Sequence, residues 1–420
     1  MEKPSSRRIS NASVWIARTG RQVKSTKFFK YWKKSRCVYI PTDKTNYTRV
    51  IKIKDYKRWV SDHLLNATDL AIRPKVMDLF EHANTLLEKL KMELLVQEDI
   101  FVWQLLATWA ILFPKLLIND HKTINEKGAL STRLVIPALK FTVTFFNISY
   151  LGIKRCLDKG KVNYSQVSIV QASDLKERLE KLNIKRNEAT IASVDTINMY
   201  PSIKLATIWK AVIFFARKLT AETNKTINLC LELIHFGMSY TLISFDCEYY
   251  EYHGIEREEQ WLAIGGFKSA FLAYLVASYL FENAKANYHP TIYHRIYKGY
   301  GLVIFKGKMK ASKIRDWLEH FQKMVNKAAG NQYLQFTVEI WTKEVNSPTP
   351  VKKERFQILT NDKFPFLDMK MIWFPEEDLQ FVVFRKKVEQ LKYVGKESTH
   401  TPSTLCAIPL GVLNHLTKHT

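Results

Sequence analysis

The chain has 420 residues, 46% of them hydrophobic and 25% charged, with a formal net charge of +24 from 64 basic and 40 acidic residues. That is the composition of a folded protein with one large core or two to three smaller ones, and the 14 glycines and 13 prolines exclude a collagen-like or low-complexity chain. The excess of positive charge points to a polyanionic partner, nucleic acid before an anionic membrane.

The five cysteines, Cys37, Cys156, Cys230, Cys247 and Cys406, are far apart and form no Cys-x-x-Cys pair, which fits a reducing intracellular setting, nuclear or cytoplasmic. Residues 1–50 read as a basic N-terminal arm. No acid occurs between Lys3 and Thr42, and aromatic residues alternate with "RR", "KFFK" and "WKK". Aromatic rings can stack on bases while cations meet phosphates. A nuclear-targeting patch, a transit segment or an amphipathic surface piece fits the same residues.

Residues 51–110 are expected to be mostly helical, with Leu at helical spacing through "HANTLLEKLKMELLV", His82 to Val96. "IFVWQLLATWAILF", Ile100 to Phe113, has 14 residues and contains Gln104. A bilayer span needs about 20 apolar residues, so this segment reads as a buried helix and no transmembrane association is expected. From Phe113 to Gly152 a strand, a polar loop and a second apolar run predict a β-hairpin. Lys115, His121, Lys122 and Arg133 surround its loop, suited to a triphosphate or a template backbone, or simply to solvent. Residues 153–190 are polar, with a helix in "DLKERLEKLNIK".

"TIASV" is a β-branched strand that Asp195 ends. "NMYPSI" is a turn, and "LATIWKAVIFFARKL" an amphipathic helix. Residues 224–245 are a further helix that leads into the extended "LISFDCEYYEYHG", and a glycine pair precedes a long helix in "QWLAIGGFKSAFLAYLVASYLF". "RIYKGYGLVIFKGK", Arg295 to Lys308, is two short strands around a turn. Ala311 to Ala329 is an amphipathic helix ending at the C′ glycine Gly330. "QYLQFTVEIW" is a strand, and "FPFLDMKMIW" and "LQFVVFRKK" are the strands of a hairpin. The order predicts an α+β domain with helices on one sheet face. No Gly-rich dinucleotide loop or P-loop occurs.

A strand-end carboxylate such as Asp195 suits Mg²⁺, which takes hard oxygen ligands, although a lone Asp there serves equally as a cap. With its neighbours the acid is more specific. "SVDTINMYPSI" resembles the first palm motif of reverse transcriptases, of the Penelope-like and related group of eukaryotic mobile elements, and "QWLAIGGFKSAFLAYLVASYLF" is similar to their second. "RLVIPA" resembles a finger element, "FPFLDMKMIWF" the strands after the catalytic turn with Asp368 in place, and "KYVGKESTHTPS" the early thumb with Ser398 and His400. The likeness spans roughly residues 110–415 and rests on the order of the motifs.

The resemblance implies a right-hand polymerase fold with an antiparallel palm sheet. Residues 51–190 would be a helical region and fingers, 191–380 the palm, and 381–420 the start of a partial thumb. Asp195 would hold catalytic Mg²⁺ and Tyr200 would check the sugar. Lys115, Lys122, Arg133, Gly266 and Ser269 would seat a deoxynucleoside triphosphate on an RNA or DNA template–primer.

The third palm motif departs from the family. Where Tyr-x-Asp-Asp is expected stand Tyr297, Lys298, Gly299 and Tyr300, and no acid lies between Glu282 and Asp316. Two placements of this motif remain open, one with Gly299 and Tyr300 in the aspartate positions, the other with a short deletion between Tyr300 and Gly301. Either implies impaired synthesis, with Mg²⁺ and nucleotides used only if the chain is active. An acid completing the site would have to enter from elsewhere, as Asp246 or Asp368. The alternatives are a non-catalytic nucleic-acid-binding module and a structural or interaction domain.

Overall fold

The computed structural model describes residues 36–41, 48–65, 68–70, 73–92, 115–118, 132–136, 140–163, 172–182, 184–185, 189–217, 219–246, 248–256, 258–265, 269–285, 291–297, 299–341, 356–359, 363–367, 369–373 and 379–383. Most of the basic arm, the segment Ile100 to Phe113, Lys122, Gly266, Lys298, Asp368, Ser398 and His400 lie outside them.

A five-stranded sheet organises the larger half. Its strands are β6 (Ala189–Ile197), β9 (Thr291–Tyr297), β10 (Tyr300–Lys306), β11 (Gln335–Trp341) and β12 (Phe356–Leu359), in the order β12-β11-β6-β10-β9. All neighbours are antiparallel except β11 and β12. The central strand β6 is buried continuously from Ala189 to Val194 and opens to solvent at Asp195. A strand covered on both faces reads as an unbroken apolar run, as "ATIASV" nearly does.

One face carries α5 (Leu205–Ala216), α7 (Ser269–Lys285) and α8 (Ala311–Ala329), packed on Val194, Val303, Phe305, Phe336 and Val338. Their neighbours in the same core are α3 (Lys140–Lys159) and α6 (Ala221–Ser239). The opposite face carries Ile191, Leu302 and Ile304. It is covered by α4 (Ala172–Leu182) and by a small antiparallel meander, β13 (Lys363–Phe366), β14 (Met369–Trp373) and β15 (Leu379–Val383). Helices therefore lie on both faces rather than one. Leu175 and Leu179, one turn apart on α4, give it an apolar stripe that needs a second sheet face to cover it.

The smaller half joins α1 (Ile53–Leu65) to three short sheets, β1 (Cys37–Pro41) with β2 (Thr48–Lys52), β4 (Lys115–Ile118) with β5 (Thr132–Val135), and β3 (Thr68–Leu70) with β7 (Leu242–Phe245) and β8 (Glu248–Tyr252). Ile40, Val60, Leu64, Leu116, Ile118, Ile243 and Trp261 form its core. A fourth cluster packs α2 (Arg73–Met92) on α6 and α3 through Leu79, Leu86, Phe145, Leu233 and Phe236.

Two local readings change. The apolar run after the first hairpin strand divides into β5 and α3, because Thr142, Phe145, Phe146, Ser149, Ile153, Cys156 and Leu157 are buried at three- and four-residue spacing. "FPFLDMKMIW" is not one strand but β13 and β14 around a tight turn, with Leu367 at φ 55°.

Candidate active site

Asp195 sits inside β6, two residues before its end at Ile197 rather than at the end. Its register partners are Tyr300 on β10 and Thr337 on β11. Directly paired residues point to the same face of a sheet, so Asp195, Tyr300 and Thr337 form one rung. The next rung on that face is Ser193, Leu302 and Glu339. This is the face of α4 and the meander, not that of the large helices.

At the closed end of the β9–β10 hairpin Tyr297 pairs with Tyr300. This register puts Gly299 in the turn and Tyr300 on the strand. The turn lies against β6. The carbonyl of Gly299 accepts from the Thr196 amide at 2.9 Å and from Thr196 Oγ1 at 2.9 Å. The acid-free connection is thereby fastened to the residue that follows Asp195. Space beside it is limited, because a Cβ on Gly299 would stand 3.0 Å from Met199 Sδ.

Tyr300 is partly buried. Its ring stacks on Phe366 of β13, with centroids 4.7 Å apart and planes at 13°. Burial pushes its phenol up to about 12, partly offset by a hydrogen bond with Ser193 and reinforced by the nearby carboxylates of Glu339 and Asp195. Ser193 Oγ in turn donates to Glu339 Oε2 at 3.3 Å, and Thr337 Oγ1 to the Asp195 carbonyl at 3.4 Å. Tyr297 packs on the same core.

Ser193, Thr196, Glu339 and Phe366 were not singled out from the sequence. Two of them carried a readable signal. Polar residues two apart in otherwise apolar strands, Ser193 with Asp195 and Thr337 with Glu339, mark a shared polar face.

Tyr200 opens a short 3₁₀ turn, Tyr200–Ser202, and packs against the larger core. The chain after it joins the segment that leads to the glycine pair. Leu205 N donates to Gln260 O at 2.8 Å, Leu262 N to Ile203 O at 2.8 Å, and Lys204 reaches Glu259 at 2.9 Å.

Lys115 and Arg133 lie on one face of the β4–β5 hairpin, opposite Val135 and Leu117 respectively. That hairpin docks on the same loop. Ile136 N donates to Ile264 O at 2.7 Å, and Gly265, at φ 93°, leaves no room for a Cβ beside Val135 Cγ1 at 2.4 Å. Ser269 is buried as the first residue of α7. The structure thus brings the Asp195 strand to the Tyr300 hairpin, and the Arg133 hairpin to the loop before Ser269. Asp246 belongs to neither group, because it sits in the β7–β8 connection and its carboxylate pairs with Lys57. Among the described residues no three His, Cys, Asp or Glu side chains gather to hold a metal ion, and no helix is long and apolar enough to cross a membrane.

No protein-family model matches the sequence, and no curated protein matches it. Solved structures match the fold. Telomerase from Candida albicans, in complex with a TWJ fragment of telomeric RNA, is 10% identical with a TM-score of 0.53 over 94% of this chain and 63% of that one. Telomerase from Candida tropicalis with the same kind of RNA fragment gives 0.53 at 8% identity, over 94% of this chain and 60% of that one. The C. tropicalis apo enzyme truncated from its C-terminal domain gives 0.52 at 9%, over 86% and 66%. The chain thus spans less than two thirds of the length of each of these telomerase chains. Its mixed α/β architecture, with an antiparallel central sheet and helices packed about it, is the right-hand polymerase-like fold of palm and fingers.

Proposed function

We propose that the chain is a reverse-transcriptase-like protein that holds an RNA or DNA template–primer and is impaired in templated DNA synthesis. Residues 191–380 act as the palm, 51–190 as the fingers, 381–420 as the start of a thumb and 1–50 as a basic arm. The observation that carries the reading is the bond from Thr196 to the Gly299 carbonyl, which sets a turn without carboxylates beside Asp195.

Phosphoryl transfer on a polymerase palm uses two Mg²⁺ ions, one activating the primer hydroxyl and one holding the leaving oxygens, and each needs hard oxygen donors. The donors near Asp195 do not fit a pair of such ions. Among the described residues no third carboxylate, histidine or cysteine joins Asp195 and Glu339, and the Gly299 carbonyl already accepts two hydrogen bonds. Tyr300 offers a phenol that stays neutral at physiological pH. Lys298 adds positive charge to the turn where negative ligands are needed. What remains is a binding function. The net charge of +24 favours a nucleic-acid partner held mainly through its phosphates.

The test is primer extension on RNA and DNA templates with deoxynucleoside triphosphates and Mg²⁺ or Mn²⁺. No templated incorporation is expected. Robust incorporation that disappears in Asp195→Ala overturns the impaired reading.

A further inference from the structure

The helical side of the palm carries an open trough of about 670 Å³ between α5, α7 and α8. Lys210 lines it from α5, Tyr279 and Asn283 from α7, and His320, Lys323 and Lys327 from α8, with no Asp or Glu among the lining residues. Positions 320, 323 and 327 recur at helical spacing, so they form a row about 10 Å long on one face of α8. Among the described residues none of the three lysines is ion-paired, whereas Lys204, Lys89 and Lys154 each reach a carboxylate. Tyr279 and Asn283 each donate one bond to the backbone. Tyr279 Oη donates to the Ala328 carbonyl at 3.4 Å and Asn283 Nδ2 to the Tyr279 carbonyl at 2.8 Å.

Exposed, unpaired ammonium groups around an acid-free trough attract a polyanion. Lysine is depleted in protein–protein interfaces, while flexible point charges suit a sequence-independent run of phosphates. We infer that this trough is a second nucleic-acid contact, which takes the phosphate backbone of a single strand on the side of the palm away from Asp195. The five-stranded sheet lies between the two surfaces, because α5, α7 and α8 pack on one face and Asp195 stands on the other. The trough goes beyond the template–primer reading and does not depend on whether the palm is active.

The experiment measures binding of the full chain to a fluorescein-labelled oligouridylate 20-mer by anisotropy between 50 and 300 mM salt. The triple variant Lys210→Glu/Lys323→Glu/Lys327→Glu is compared with the parent, with Lys210→Gln/Lys323→Gln/Lys327→Gln as a second version for the case that charge reversal disturbs folding. Removing three phosphate contacts lowers the slope of log affinity against log salt by about 2 for a single strand. Parent-like slopes in both triple variants overturn the trough while sparing the palm reading. No salt-sensitive binding by the parent overturns both. If poly-glutamate binding is lost in the variants while oligouridylate binding is kept, the trough belongs to an acidic protein and the inference fails.

Discussion

Tyr300 makes contacts in three directions. Its ring stacks on Phe366, its hydroxyl bonds Ser193, and its backbone pairs with Asp195 on one side and Tyr297 on the other. An aromatic residue at the mouth of the β9–β10 turn therefore joins the meander to the central sheet. Tyr300→Ala removes the stacked ring and leaves a gap between the sheets, and is expected to cost about 3 kcal/mol. Tyr300→Phe keeps the ring and loses one hydrogen bond, about 1 kcal/mol. Urea midpoints at neutral pH check both, and equal losses in the two variants contradict the stacking account. Asp195 itself was legible from its motif as a carboxylate on a buried strand. The stacking of Tyr300 was not, because Phe366 lies far along the chain and nothing local to "YKGYG" names its partner.

On α8 the sequence and the structure agree over the whole element. Ile314, Trp317, Leu318, Phe321, Val325 and Ala329 are buried as one stripe, and Gly330 ends the helix in the left-handed conformation at φ 71°. The stripe works because its aromatics interlock. Phe321 lies parallel to Trp317 at 5.2 Å and meets Phe281 of α7 edge-on at 5.1 Å. Phe321→Ala is expected to destabilise the protein by about 3–5 kcal/mol, whereas His320→Ala, one residue earlier and exposed, shifts it by less than about 0.5 kcal/mol. Chemical denaturation of the two variants separates a core helix from a surface one. Element α3 was less legible. Its β-branched and aromatic residues suit a strand by local preference, and only burial against α6 on a 3.6-residue period decides for helix.

Across the whole molecule, proton binding follows burial. Tyr252 on β8, Tyr293 on β9 and Tyr300 on β10 are each pushed up to about 12, chiefly by burial, and burial with the neighbouring Cys156 pushes the Cys230 thiol up to about 12 as well. The folded chain holds these protons at a pH where the unfolded chain, with ordinary values near 9 for the thiol and 10 for the phenols, has released them. Stability is therefore full below about pH 9 and falls as pH rises towards 12. The urea midpoint should be level between pH 7 and 8.5 and drop above pH 9. A midpoint that stays level or rises to pH 11 contradicts this, and Cys230→Ala should delay the onset of the drop.

Local chemistry alone determined much of this protein. Alternation and helical periods located α8, the β9–β10 hairpin and the β6 strand, and the absence of carboxylates from the turn is a property of residues 297 to 300 themselves. The tertiary structure decided which residues meet. Thr196 and Gly299 are 103 positions apart, and Ser193 and Glu339 are 146 apart. Such pairings depend on strand register and on which face each helix covers. Register and coverage are set by burial summed over the whole sheet, since a slip of one residue turns every side chain to the other face. The basic trough is of the same kind: two helices distant in sequence place Lys210, Lys323 and Lys327 around one space only when they pack on a common sheet.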